Sequence, residues 1–237
     1  MKIKLSDYIF EYLQEKNITT AFSVSGGAAA HLLDSAKKYN IEYIANYHEQ
    51  ASAMAAEGYS RIKNTPALVL VTNGPGSSNT ITGVLGAFQD SIPMFIISGQ
   101  VPISQTINSQ PHKLRQLGVQ EVDIIKIVNS ITKYSHQVID ANTIKYHLDK
   151  AYYECVNGRK GPVWLDIPLN IQSTFIETDN LKSFTPHIVN PPSYNINHIV
   201  DLILKSKNPL IVTGNGIHLS NTEKIFKKLV NLLKIPV

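Results

Sequence analysis

The sequence predicts an α/β protein: a doubly wound, mostly parallel sheet with helices on both faces, followed by an incomplete second α/β domain. Strand-like apolar runs alternate with helix-like stretches along most of the chain, the order that builds parallel sheets through crossover connections. The run Ala67-Leu68-Val69-Leu70-Val71 shows no polar alternation, as a strand covered on both faces requires. Turns rich in glycine follow the strand runs at Ser25-Gly26-Gly27, Gly74-Pro75-Gly76 and Gly99-Gln100. In parallel sheets that rim is where ligands bind.

Taken in order, Ser6 is placed to cap a helix over residues 6–16, and residues 21–24 read as a short strand. Gly26-Gly27 opens a helix running to Lys38; residues 41–46 form a strand and residues 48–63 a helix of very small side chains. A strand over 67–72, a break at Gly74-Pro75-Gly76, a helix over 78–88 and a buried strand over 93–98 follow. The connection from Gly99 to Gln120 is longer than typical and is therefore a candidate functional loop. A helix over 122–127, a strand over 133–138, a helix over 141–156 and a strand over 163–167 complete the first domain, residues 1–171. Periodicity then disappears, and Pro186, Pro191 and Pro192 mark residues 172–194 as a linker. Residues 195–237 offer a helix over 196–205, a strand over 209–213, a helix over 221–233 and a strand over 235–237, too few to close a core.

Composition narrows the function classes. The 237 residues are 43% hydrophobic and 17% charged, with a net charge of +4 that is scattered rather than gathered into a basic stripe. That pattern fits a solvated surface better than a nucleic-acid footprint. No apolar run reaches membrane-spanning length. A single cysteine, Cys155, and the absence of a charged-then-apolar leader predict a reducing, cytoplasmic setting.

The stretch Tyr47-His48-Glu49-Gln50-Ala51-Ser52-Ala53-Met54-Ala55-Ala56-Glu57-Gly58-Tyr59 puts a carboxylate in the first turn of a helix built from Ala, Ser and Gly. Such small side chains predict close backbone approach and a buried helix. A buried carboxylate is costly unless it is hydrogen-bonded, so Glu49 is the candidate for chemistry. Glu57 reads as a structural anchor of that helix, and Asp90 and Asp166 as partners of nearby loop backbone. Neither the G-x-G-x-x-G spacing nor a P-loop lysine accompanies the glycine turns, so ordinary nucleotide-binding motifs are not supported.

Together, seven motifs resemble the pyrimidine-binding domain of thiamine-diphosphate enzymes, and most nearly the acetolactate (acetohydroxyacid) synthase family. They are Ser25-Gly26-Gly27, His48-Glu49-Gln50, Ala56-Glu57-Gly58-Tyr59, the run from Thr72 to Asn79, Asp90-Ser91-Ile92-Pro93, Gly99-Gln100-Val101-Pro102 and the run from Gly161 to Pro168. The resemblance is dense from Leu5 to Gln172 and continues through the Asn208 to Gly216 stretch, which looks like the opening of that family's central domain. It implies that Glu49 is the catalytic glutamate, hydrogen-bonded to N1′ of the cofactor's aminopyrimidine so that the thiazolium C2 can lose its proton. Desolvation suits such a carboxyl to sharing a proton. The resemblance also implies that Ser25, Gly26, Thr72, Pro75 and Asn79 line the pyrimidine side, and that Gln100 borders the reacting centre. Gln110 and His112, in the long loop, are further substrate-side candidates.

The same resemblance implies decarboxylation of a 2-oxo acid such as pyruvate and transfer of the acyl carbanion to a second carbonyl. It implies thiamine diphosphate as cofactor, Mg²⁺ held through a separate C-terminal diphosphate-binding domain, and FAD as a possibility in full-length relatives. The chain departs from the pattern at Ser25, where many relatives have proline, at Val119-Gln120-Glu121 in place of Phe-Gln-Glu, and at Asn170 in place of lysine. The insertion-like run from Lys113 to Gly118 is closer to divergent members that act on other 2-oxo acids or on sugar ketones. No Gly-Asp-Gly…Asn motif occurs. The chain is therefore expected to be a truncated N-terminal piece, inactive alone, of an enzyme that works as a homo-oligomer; the competing expectation is one partner of a split enzyme whose other chain carries the diphosphate domain. A non-catalytic binding module is the alternative from a different class, and Glu49 argues against it.

Overall fold

The computed structural model describes residues 1–186 and 193–237 of the chain. Pro191 and Pro192 of the expected linker lie outside the described residues. Internal contacts divide the chain into two units, Met1–Pro186 and His187–Val237.

The first unit runs β1 (Lys2–Lys4), α1 (Leu5–Glu15), β2 (Thr20–Ser23), α2 (Ala30–Lys38), β3 (Glu42–Ala45), α3 (Glu49–Lys63), β4 (Ala67–Val71), α4 (Pro75–Ser78), α5 (Ile81–Asp90) and β5 (Met94–Gln100). It continues with α6 (Ile124–Val128), β6 (Tyr134–Gln137), α7 (Ile144–Val156), β7 (Pro162–Pro168), α8 (Leu169–Gln172) and β8 (Phe175–Glu177). Six strands form one sheet in the order β3-β2-β4-β5-β7-β6, and every neighbouring pair is parallel. All five residues of β4 are buried. Its Leu68 and Leu70 join the core under α1, α2 and α7, so by the two-residue pleat Val69 points to the opposite face, where α3 and α5 pack. This double cover is why the run needs no polar alternation.

Three local expectations are corrected. Ser6 does not cap α1: the chain enters the helix directly from β1, with Lys4 at the cap position. Ser6 is instead fully buried and meets Ser35 Oγ at 2.8 Å, while Asp7 joins Ser35 at 2.6 Å and Lys38 at 2.7 Å. The stretch from Gln172, read as linker, holds β8, which pairs antiparallel with β1 and buries Ile176. A three-residue strand is too short to display a period. Glycine turn and helix at 74–88 also divide differently, with the short α4 starting at Pro75 and α5 at Ile81.

The second unit holds α9 (Ile196–Lys205), α10 (Gly216–Leu219) and α11 (Glu223–Leu233). Residues 209–213 and 235–237, expected as strands, are not strands among the described residues; they touch through one backbone bond, Ile211 N to Pro236 O at 2.9 Å. Two isolated segments have no sheet to join, and a lone pair of strands is marginal in water. None of the unit's described residues is buried. Among the described residues of the chain, no helix is long and apolar enough to cross a membrane.

At the outer edge of the sheet, His136 of β6 and His147 of α7 stack with ring centroids 3.8 Å apart. The Tyr134 hydroxyl lies 2.6 Å from His147 Nδ1, and Lys150 Nζ sits 4.8 Å over the Tyr134 ring. Burial, then His136 and Lys150, pulls the His147 imidazole down to about 4 from its ordinary 6.5. Burial and Lys150 lower His136 as well. The unfolded chain therefore takes up these protons first, and stability present above pH 6.5 is lost as pH falls toward 4. In urea titrations at pH 7 and 5, the acid-side loss of stability should be smaller in His147→Gln than in wild type. An equal loss in both proteins would show that the stacked pair does not carry the effect.

Candidate functional site

β2 is followed by a strand on one side of it and β4 lies on the other, so the turns after β2 and β4 leave the sheet in opposite directions. Such a divergence opens a crevice at the carboxyl ends of the strands. Thr72, directly after β4, fills its base. Its Oγ1 accepts from Ala28 N at 3.2 Å. A Cβ at Gly26 would stand 2.4 Å from Thr72 Cβ, and one at Gly76 would stand 2.6 Å from Thr72 Cγ2. The two glycines thus let three backbone segments close on one threonine. For Gly26, the room expected for a ligand is taken by the Thr72 side chain.

The turn beyond Thr72 is tightly bonded. Gly74 has φ 59 and ψ −123, a conformation open to glycine. Ser77 Oγ donates to Thr72 O at 2.6 Å, Ser78 N to Gly74 O at 2.9 Å and Asn79 N to Pro75 O at 2.9 Å. Pro75 is exposed at the first position of α4, where its missing N–H costs nothing.

Glu49 approaches this turn from α3. His48 caps that helix through its side chain, Nδ1 accepting from Gln50 N at 3.1 Å. The first helical turn also favours a carboxylate electrostatically. Asn79 Nδ2 donates to Glu49 Oε2 at 2.9 Å, and Glu49 Oε1 lies 3.5 Å from where a Cβ of Gly76 would be. Glu49, Thr72, Gly76 and Asn79 therefore share one place. Asn79, expected to line the ring site, spends its amide on the carboxylate.

Burial of α3 is corrected. Ser52, Ala53, Ala56 and Ser60 are buried, with Gly83 of α5 against Ala53, where a Cβ would be 2.7 Å away. Ala51 and Met54 are exposed, and Glu49 is half-buried. Small residues permit close approach on every side of a helix, but among the described residues of the first unit only one side is packed against neighbours. Ser25 makes none of these contacts. It is exposed and borders a cavity of about 760 Å³ between α2 and β3, shared with Leu33, Lys37, Tyr43 and Asn46. Neither Glu49 nor Asn79 lines that cavity.

Gln100 does not stand free at the rim. It is buried, its Nε2 donates to Val122 O at 3.0 Å and Asp166 Oδ2 at 3.3 Å, and its Oε1 accepts from Val101 N at 3.0 Å. Asp166 is likewise corrected: it bonds side chains rather than loop backbone, accepting from Ser98 Oγ at 2.5 Å and Gln137 Nε2 at 2.9 Å. Complete burial pushes its carboxyl up to about 6, against the pull of those donors. Asp90 pairs with Arg61 at 2.6 Å, and Arg61 also bonds Glu57, which anchors α3 as expected. Gln110 turns its amide back to Ser109 Oγ at 3.1 Å, and His112 is exposed; neither bonds the Glu49 cluster.

The long loop contributes residues that the sequence reading missed. Asn73 Nδ2 donates to Val119 O at 2.8 Å. A Cβ on Gly74 would stand 1.9 Å from Gln120 O. Gln120 is itself left-handed, with φ 55, and exposed. The loop is therefore latched onto the glycine turn, and Gln120 rather than Gln100 stands at the rim. The glycine at 74, flanked by Asn73 and Pro75, was the signal that another backbone passes there.

The family model for the thiamine pyrophosphate enzyme N-terminal TPP binding domain matches residues 3–127. More than half of the chain is covered. The chain belongs to this family. All of the clustered residues of this TPP binding domain, and the latched loop, fall inside the matched span. Over its whole length the chain is similar to the acetolactate synthase large subunit of Lactococcus lactis, 32% identical over 247 residues and covering 42% of that protein. It is 33% identical over 244 residues to the acetolactate synthase large subunit of Haemophilus influenzae, covering all of this chain and 41% of that one. It is 31% identical over 244 residues to the chloroplastic acetolactate synthase of Arabidopsis thaliana, covering 99% of this chain and 34% of the relative. The chain thus spans about two fifths or less of the length of these relatives.

Proposed function

We propose that residues 1–171 supply the pyrimidine half of a thiamine-diphosphate site in an acetolactate synthase-like enzyme, and that residues 195–237 open its central domain. The observation that carries this reading is the Glu49 carboxylate at the switch point, one oxygen on Asn79 and the other over the side-chain-free Gly76. A carboxyl oxygen beside bare backbone, able to share one proton, fits the edge of a flat heterocycle that turns a ring nitrogen toward it. When bound, the cofactor would supply a carbon nucleophile and an electron sink for decarboxylating a 2-oxo acid such as pyruvate.

Glu49 would hold and return a proton at the ring nitrogen. Thr72 and the Gly26 and Gly76 backbones would set the floor beneath the ring, Pro75 and Ser25 its flanks, and Gln120 with the long loop would face the second carbonyl. Mg²⁺ and the diphosphate would be held by a C-terminal-type domain of another subunit in a homo-oligomer, or of a partner chain. Cys155 is fully buried and its thiol is pushed up to about 12 by burial, so it takes no part in this chemistry; the reading places the protein in the cytoplasm.

The test is complementation. The chain is mixed with proteins carrying a diphosphate-binding domain, together with thiamine diphosphate and Mg²⁺, and CO₂ release from pyruvate and other 2-oxo acids is followed. Release that depends on both proteins is expected. Complexes that form with unchanged CO₂ release would favour a non-catalytic binding module.

A further inference from the structure

We propose that Asn79 is a positioning residue that separates the tasks of the two Glu49 oxygens: its amide fixes Oε2, and Oε1, over Gly76, is the oxygen left for the ligand. What Oε1 meets rests on the pyrimidine-site reading above; how the carboxylate is held does not. The terminal torsion of a glutamate is broad and roughly two-fold, so its oxygens interchange unless a fixed donor distinguishes them. Asn79 is such a donor, 2.9 Å from Oε2 across 30 residues of sequence.

Both ends of this bond are anchored. Asn79 follows a turn pinned by Ser77 Oγ to Thr72 O and Thr80 Oγ1 to Ser77 O, at 2.6 and 2.7 Å. Glu49 begins a helix fixed by the His48 cap and by Ser52 N to His48 O at 3.1 Å. The other side is kept clear by sequence: any side chain on Gly76 would run into Thr72 and touch Oε1. One oxygen is closed by a donor and the other opened by a glycine. A hydrogen bond to an ionised acceptor is worth more than a neutral one, so losing it should free the carboxylate.

The experiment uses the full chain labelled with ¹³C, with the Glu49 side-chain resonances assigned from Glu49→Gln. Wild type should show one rotamer by its side-chain couplings and a rigid carboxylate by relaxation of the Glu49 Cδ carbon, and Asn79→Ala should show averaging of both. Asn79→Asp at pH 8 keeps the shape but removes the donor. It should average at least as much, and it decides the matter if the alanine variant does not fold. Thiamine diphosphate with Mg²⁺, added in the presence of the diphosphate-domain protein, should bind about tenfold or more weakly to both variants. Unchanged Glu49 rotamers in the variants overturn the proposal. Released rotamers with no binding even by wild type would sink the pyrimidine reading and the role given to Oε1, while the hold on Oε2 stands.

Discussion

Glu49→Gln should lower the turnover of the complemented enzyme by about a thousandfold, within the range that one positioned proton-transfer group contributes. The substitution is nearly isosteric, and Asn79 Nδ2 can still donate to the new amide oxygen. The fold should therefore survive, with a stability change of only about 0.5 kcal/mol from losing a charge in the first turn of α3. What the amide cannot do is take and return a proton at a ring nitrogen. Glu49→Asp separates charge from reach. It keeps the carboxylate but withdraws it from both Asn79 and the space over Gly76, and a displacement of that size costs about a hundredfold. Turnover in each variant, measured at saturating cofactor, gives the comparison. Near-normal rates in Glu49→Gln would remove Glu49 from the mechanism, whatever the geometry around it.

The sheet was legible in the sequence because its signals are strong and local. The buried run at β4, the small residues of α3 and the breaks at Gly26 and Gly74 each constrain the backbone within a few positions. Glu49 was legible for the same reason, as a charge where a small-residue helix begins. The roles of its neighbours were not, because they depend on distant segments. Asn79 looked like a ring contact until its partner, 30 residues earlier, was in place. Gln100 looked like a rim residue, yet the last residues of β5 remain in register with β7, which brings Asp166 to its amide, and Val122, just ahead of α6, closes on it from the other side. Ser25 follows β2 as expected but opens toward the α2 side, where the cavity lies. In the second unit, amphipathic helices were readable one by one, whereas strands 209–213 and 235–237 required a sheet that these residues alone do not build.

Gly74→Ala should destabilise the chain by about 3 kcal/mol or more, the sum of a strained backbone and a steric overlap. The strain is intrinsic: φ 59 with ψ −123 is a glycine conformation, and a side chain there is disfavoured even in open space. The overlap is tertiary: the added Cβ would meet Gln120 O at 1.9 Å. Relief requires either the glycine turn or the long loop to move. The loop is held by Asn73 on Val119 O and by Gln100 on Val122 O, so moving it breaks bonds at both ends. Moving the turn instead displaces Asn79 and with it the hold on Glu49. Urea unfolding should therefore show a large drop in midpoint, and the Asn73 side-chain amide should exchange with solvent far faster than in wild type. Gly58→Ala provides the control, because a Cβ at that α3 position meets nothing within 4 Å and should stabilise by helix propensity, by about 0.5–1 kcal/mol. If the two substitutions changed stability alike, the close passage of the loop over Gly74 would not be a feature of the folded chain.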